Sequence, residues 1–163
     1  TLYTIWIGIN DYWDAKDDPI SSVLNIKKGI QKLIEKGAKR FVVFNNFDLT
    51  LAPGYGPKTE YHDLIPQVRV LISEFNDEIS QMILNEETGL ITKSPDVEII
   101  FIDIFTFMNE LIKSKKYLNT DTPWKDSYKF PHPNEFLWYD EWHPMTSCHF
   151  EIAKLVNKNL ELR

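Results

Sequence analysis

Three short apolar runs, residues 2–7, 40–45 and 97–102, alternate with longer stretches of helical period, and this alternation restricts the chain to an α/β fold. Runs that are apolar without alternation predict strands buried on both faces, which is the habit of a parallel sheet covered by helices. Asp18-Pro19 predicts a helix start, with Ile20, Val23, Leu24, Ile30, Leu33 and Ile34 on one stripe and Gly37 as the C-terminal cap. A second stripe runs through Leu64, Val68, Leu71, Ile72, Phe75, Ile79, Met82 and Ile83, where Pro66 is tolerable only because it falls near the start. Residues 105–113 predict a short helix and residues 145–162 a terminal one. Residues 46–60, with Pro53, Gly54, Gly56 and Pro57, read as a long loop, and residues 114–144 as mostly irregular. Three parallel strands with bare edges leave apolar surface uncovered, so the pattern calls for more strands than this chain supplies.

With 163 residues, 43% of them hydrophobic, the chain can bury one substantial core. A net charge of -6 offers no basic stripe for phosphates, so a nucleic-acid partner is not expected. No apolar run approaches the roughly 20 residues of a membrane-spanning helix. Cys148 is the single cysteine, which excludes an internal disulfide and a CxxC metal or redox site. The chain enters a strand directly after Thr1, as the product of a cut would, so secretion signals upstream of such a cut are not visible here.

Two strings carry the chemistry. Gly8-Ile9-Asn10-Asp11 follows the first apolar run, which puts Asn10 at the carboxyl end of a strand, where open α/β sheets bind ligands. Asp140-Glu141-Trp142-His143, followed by Pro144, sets a carboxylate three residues before a histidine, so that the acid bonds one ring nitrogen and leaves the other free as a base. No serine sits on a strand-to-helix elbow with small neighbours: Ser21, Ser22, Ser73 and Ser80 fall inside helices, Ser94, Ser114 and Ser127 have no such setting, and Ser147 reads as the terminal helix's first turn. His62, His132 and His149 have no motif around them, and adjacent Cys148 and His149 diverge on a helix.

These strings, with their flanks Tyr12 and Trp138-Tyr139, resemble the third and fifth sequence blocks of the SGNH (GDSL) hydrolases. Between them, residues 41–49 and Pro53 resemble the branch that holds bacterial phospholipases, thermolabile haemolysins and glycerophospholipid:cholesterol acyltransferases. The resemblance implies the C-terminal portion, residues 1–163, of a single flavodoxin-like α/β/α domain with a parallel sheet. The blocks that bring the nucleophilic serine and an oxyanion-hole glycine lie upstream and are absent from the chain. It implies His143 as the base, Asp140 as its orienting partner, and Asn10 with Gly8 at the oxyanion hole. Asp11 is expected either to support the site from behind or to accept a hydrogen bond on the helix side, and not to be catalytic. No metal or cofactor is implied. The expected activity is lipolytic ester hydrolysis, on phospholipid or lysophospholipid, with acyl transfer within the branch's range. The expected partner is the N-terminal half of the same hydrolase as a second chain, and the expected location is outside the cell.

Other readings stay open. The same site on the same fold serves carbohydrate esters, and a non-catalytic binding or structural remnant is the reading from another class. Trp124, Tyr128, Phe130, Phe136, Trp138, Tyr139 and Trp142 form either a lipid-facing rim or the packing of a long loop, with packing slightly favoured, and Phe47, Leu49, Leu51 and Tyr55 share that ambiguity. Two departures from the branch, Met145 before Thr146 and Phe47 in place of a proline, touch neither base nor acid.

Overall fold

The computed structural model describes residues 1–125 and 132–161; Ser127, Tyr128, Phe130 and Leu162 lie outside them. The element order is β1 (Leu2–Ile5), α1 (Pro19–Glu35), β2 (Arg40–Phe44), α2 (Ile65–Leu84), α3 (Leu90–Lys93), β3 (Glu98–Ile102), α4 (Ile104–Lys113) and α5 (Thr146–Glu161). The described strands form one parallel sheet in the order β1-β2-β3, with Tyr3 opposite Phe41 and Phe41 opposite Ile99. The chain divides into two compact units, one of Thr1–Asn46 with Val70–Ile104 and one of Phe47–Arg69 with Phe105–Arg163.

The first unit contains the sheet. In β2, Phe41, Val42, Val43 and Phe44 are all buried, and in β3 Ile99, Ile100 and Ile102 are, as doubly apolar strands require. The expectation of a strand buried on both faces fails for residues 2–7. As an edge strand β1 alternates between exposed and half-buried positions, with Leu2 38% exposed, and Ile7 just beyond it is 55% exposed. Its apolar pattern is that of an interior strand, yet no described strand pairs with its outer edge. Beside that edge runs a groove of about 550 Å³ lined by Thr4, Ile5 and Ile7 of the strand segment and Ile26, Ile30 and Leu33 of α1.

Helix α1 begins as expected, with the Asp18 carboxylate accepting the N–H groups of Ile20 and Ser21 and Pro19 in the first turn. It ends as expected too. Gly37 is left-handed (φ +92°), its N–H bonds the Ile34 carbonyl, and the Ala38 N–H bonds that of Leu33. The stripe is offset from the sequence reading: Val23, Ile26 and Ile30 are buried, whereas Ile20 and Leu24 are exposed. In α2 the expected stripe holds at Val68, Ile72, Phe75, Ile79, Met82 and Ile83.

The second unit packs α4 and α5 with long connections around buried Phe136, Leu137, Trp138 and Cys148. Residues expected to form an open loop contain two 3₁₀ turns, Leu49–Leu51 and Pro53–Tyr55. Asp48 caps the first, accepting the Thr50 N–H at 3.0 Å, and Arg69 Nε bonds Thr50 Oγ1 at 2.9 Å and Asp48 Oδ2 at 3.3 Å. Among the described residues no helix is long and apolar enough to cross a membrane, and no cluster of three or more His, Cys, Asp or Glu side chains offers a metal site.

Candidate active site

In the second unit the chain turns sharply between Trp138 and Pro144, which face each other as an isolated antiparallel bridge. The turn is tied by its own carboxylate. Asp140 Oδ1 accepts the backbone N–H of Trp142 at 2.9 Å and of His143 at 2.8 Å, and His143 Nδ1 lies 2.8 and 2.9 Å from the two carboxylate oxygens. An ionised carboxylate only accepts, so the proton on this ring sits on Nδ1 and the Nε2 lone pair is left available. The His143 side chain is 72% exposed and that of Asp140 18%. Burial works to raise the Asp140 pKa, but the two backbone N–H groups, the ring N–H and, when the ring is protonated, its charge hold it below the usual carboxylate range. The acid therefore stays charged at neutral pH, aimed at the ring it orients.

This turn is seated on residues 53–61. The Gly54 N–H donates to the Glu141 carbonyl at 2.9 Å, and the Trp142 indole lies directly over Gly54. Tyr55 and Tyr61 meet the same indole edge-on, with ring centroids 5.4 and 5.5 Å away. Of the aromatics whose role the sequence left open, Phe136 and Trp138 are buried and Phe47 packs against Trp138 at 5.9 Å, so these three belong to the core. Tyr55 is buried as well, and the Trp138 Nε1 proton is satisfied by the Thr120 carbonyl at 2.8 Å.

In the first unit, Gly8 and Asn10 share one turn at the carboxyl end of β1. Gly8 is left-handed at φ +104°, and a Cβ there would lie 2.9 Å from the Phe75 ring, so both conformation and space require glycine. Residues Ile9–Asp11 form a 3₁₀ turn in which Asn10 is exposed. Asp11 accepts the Ser22 hydroxyl at 2.8 Å and so ties the turn to α1, the helix-side acceptor of the two roles expected for it. Next to Gly8 lies Asn46, fully buried. Its backbone is clamped by the Asn76 amide, which accepts the Asn46 N–H and donates to its carbonyl, both at 2.8 Å, while its own side-chain amide has no partner among the described residues. Nothing in the sequence singled out Asn46, since an asparagine after a strand is an ordinary turn residue.

The remaining candidates fall away on geometry. Cys148 is buried, burial pushes its thiol up to about 12, and its sulfur rests 3.7 Å from that of Met108. Ser147 lies in the first turn of α5 with its hydroxyl buried. His62 Nδ1 is engaged by the Tyr55 carbonyl at 3.0 Å. No curated protein matches this sequence. The model of the GDSL-like lipase/acylhydrolase family does match it, over residues 1–156, and the chain belongs to that family of ester hydrolases.

Proposed function

We propose that residues 1–163 carry the base, its orienting acid and an oxyanion donor of a lipolytic serine ester hydrolase, and that the nucleophilic serine comes from polypeptide outside them. One observation supports this reading above the rest: a charged Asp140 holding His143 by Nδ1, with no partner on the opposite nitrogen among the described residues. A binding or structural remnant has no use for an exposed imidazole fixed in one tautomer. The serine hydroxyl attacks the ester carbonyl while His143 Nε2 takes its proton. The tetrahedral oxyanion accepts hydrogen bonds from the Asn10 amide and the backbone at Gly8. Collapse expels the alcohol, which receives the proton from His143, and water then repeats the sequence on the acyl-serine.

The free edge of β1 and the groove beside it suit a further parallel strand with apolar side chains. We assign that seat to the serine-bearing segment of the same hydrolase, whether continuous with this chain or held as a companion chain. A phospholipid or lysophospholipid ester is the substrate proposed, on the resemblance of residues 41–53, and the same resemblance supports a location outside the cell.

The test is labelling of the native protein with a fluorophosphonate, followed by denaturation and mass spectrometry of every polypeptide. Label is expected on a serine outside residues 1–163 and is expected to vanish in His143→Ala, together with turnover of phospholipid esters. Labelling and turnover that survive His143→Ala overturn the catalytic reading, and turnover of acetylated sugars alone overturns the lipid one.

A further inference from the structure

The self-bonded turn of Asp140 to His143 fixes the ring relative to the acid. It does not fix the pair relative to the rest of the unit. The turn's flanks are tied by the Lys125 N–H on the Tyr139 carbonyl and the Met145 N–H on that of Leu137, and its tip is seated by two contacts, the Gly54 N–H on the Glu141 carbonyl and the indole of Trp142 on the Gly54 Cα. The second contact is possible only at glycine: a Cβ on residue 54 would stand 2.4, 2.5 and 2.6 Å from Cη2, Cζ2 and Cζ3 of Trp142. Gly54 is not left-handed, so the demand here is for space and not for backbone freedom. The seat is itself braced. Pro53 opens the 3₁₀ turn that presents Gly54, His62 engages the Tyr55 carbonyl, and Tyr55 and Tyr61 wall the indole on its edges.

We propose that Gly54 is a positioning residue for His143, acting through Trp142. The inference rests on the reading of His143 as the catalytic base. Trp142 and His143 are neighbours, and the Trp142 N–H is one of the two backbone donors that hold Asp140 Oδ1. A methyl group at residue 54 must drive the indole away by about 1 Å to reach ordinary contact at 3.4 Å. Tyr55 and Tyr61 against the indole limit its escape by side-chain rotation, so part of the displacement is passed to the Trp142 backbone and from its N–H to the carboxylate. A shift of this size at a reacting group costs on the order of 100-fold in rate.

The experiment compares Gly54→Ala, Trp142→Leu and their double variant with wild type in the intact hydrolase, with kcat normalised to fluorophosphonate-titrated sites so that loss of folded protein does not count. Gly54→Ala is expected to lower kcat by about 10- to 100-fold with KM within about twofold. Trp142→Leu, which empties the seat without crowding it, is expected to lower kcat similarly, and the double variant to fall no further than Trp142→Leu alone.

A second readout needs no turnover. The ¹⁵N shifts of the neutral His143 ring report the Nδ1–H tautomer in wild type and are expected to move toward the Nε2–H tautomer in both single variants. If His143→Ala is inactive while both single variants keep wild-type kcat and tautomer, the positioning inference falls and the catalytic reading stands. If His143→Ala retains turnover, both fall together.

Discussion

The two halves of the proposed site are built by opposite means. In the second unit the base is locked by its own tetrapeptide, with Asp140 accepting two backbone N–H groups and the His143 ring N–H, and the turn is pinned on Gly54. In the first unit Asn10 stands exposed on a short turn that depends on a left-handed glycine, at the end of an edge strand whose apolar residues are half covered. The proposed base is organised mainly by residues close in sequence and seated on one distant glycine, and the proposed oxyanion donor by a sheet. The turn's own bonds set the ring against the acid while Gly54 sets where the turn sits, whereas a donor at a strand end is only as well placed as that strand's neighbours make it.

The comparison breaks most visibly at Asp140. Asp140→Asn keeps an oxygen to accept the two backbone N–H groups, so the turn persists, but its amide presents a donor to Nδ1 and stabilises the wrong ring tautomer. A drop of about 10⁴-fold in kcat is expected, by analogy with the same change in Ser-His-Asp sites. Thermal unfolding of the same variant adds a pH signature. Because the Asp140 pKa is lowered by folding, its ionised form adds stability above the ordinary value of 3.8, and this is lost as pH falls through the lowered one. The Tm gap between wild type and variant should therefore close on acidification; a gap constant with pH would show that the charge of Asp140 is not what holds the turn.

Asn10→Ala tests the other half. Removing one oxyanion donor costs about 10²- to 10³-fold in kcat in comparable sites. The side chain is exposed, so Tm is expected to stay within about a degree of wild type. Full activity in this variant would remove Asn10 from the oxyanion hole and leave the base half untouched.

The legibility of the sequence follows the same division. The strand order, the helices apart from the single turn α3 at Leu90–Lys93, both ends of α1, the stripe of α2 and the Asp140–His143 spacing were readable because each is a local pattern. The exposure of β1 was not, since an apolar hexapeptide looks the same at the edge of a sheet as at its centre; only its neighbours differ. Ile20 and Leu24 misled for a related reason, as helical period marks an apolar stripe but not which part of it meets the core. Gly54 read as a loop breaker because the indole that requires its bare Cα comes from residue 142, and no local pattern records a contact between residues so far apart.

Asn46→Leu sharpens the comparison from the side of stability. A buried amide without a partner carries a desolvation cost of about 1–3 kcal/mol. Leucine is close to it in shape and asks for no hydrogen bond, and the Asn76 clamp acts on the residue 46 backbone, which the substitution leaves in place. Urea unfolding of the variant is therefore expected at a higher midpoint, by about 1 kcal/mol in stability, with an unchanged denaturant slope. A gain would mean that the floor beneath the Gly8 turn retains an unfavourable polar group, in contrast to the fully bonded turn at Asp140. A loss of stability would instead show that the amide is satisfied in solution, by a water or by a shift of the turn, and the contrast with the Asp140 carboxylate would fall.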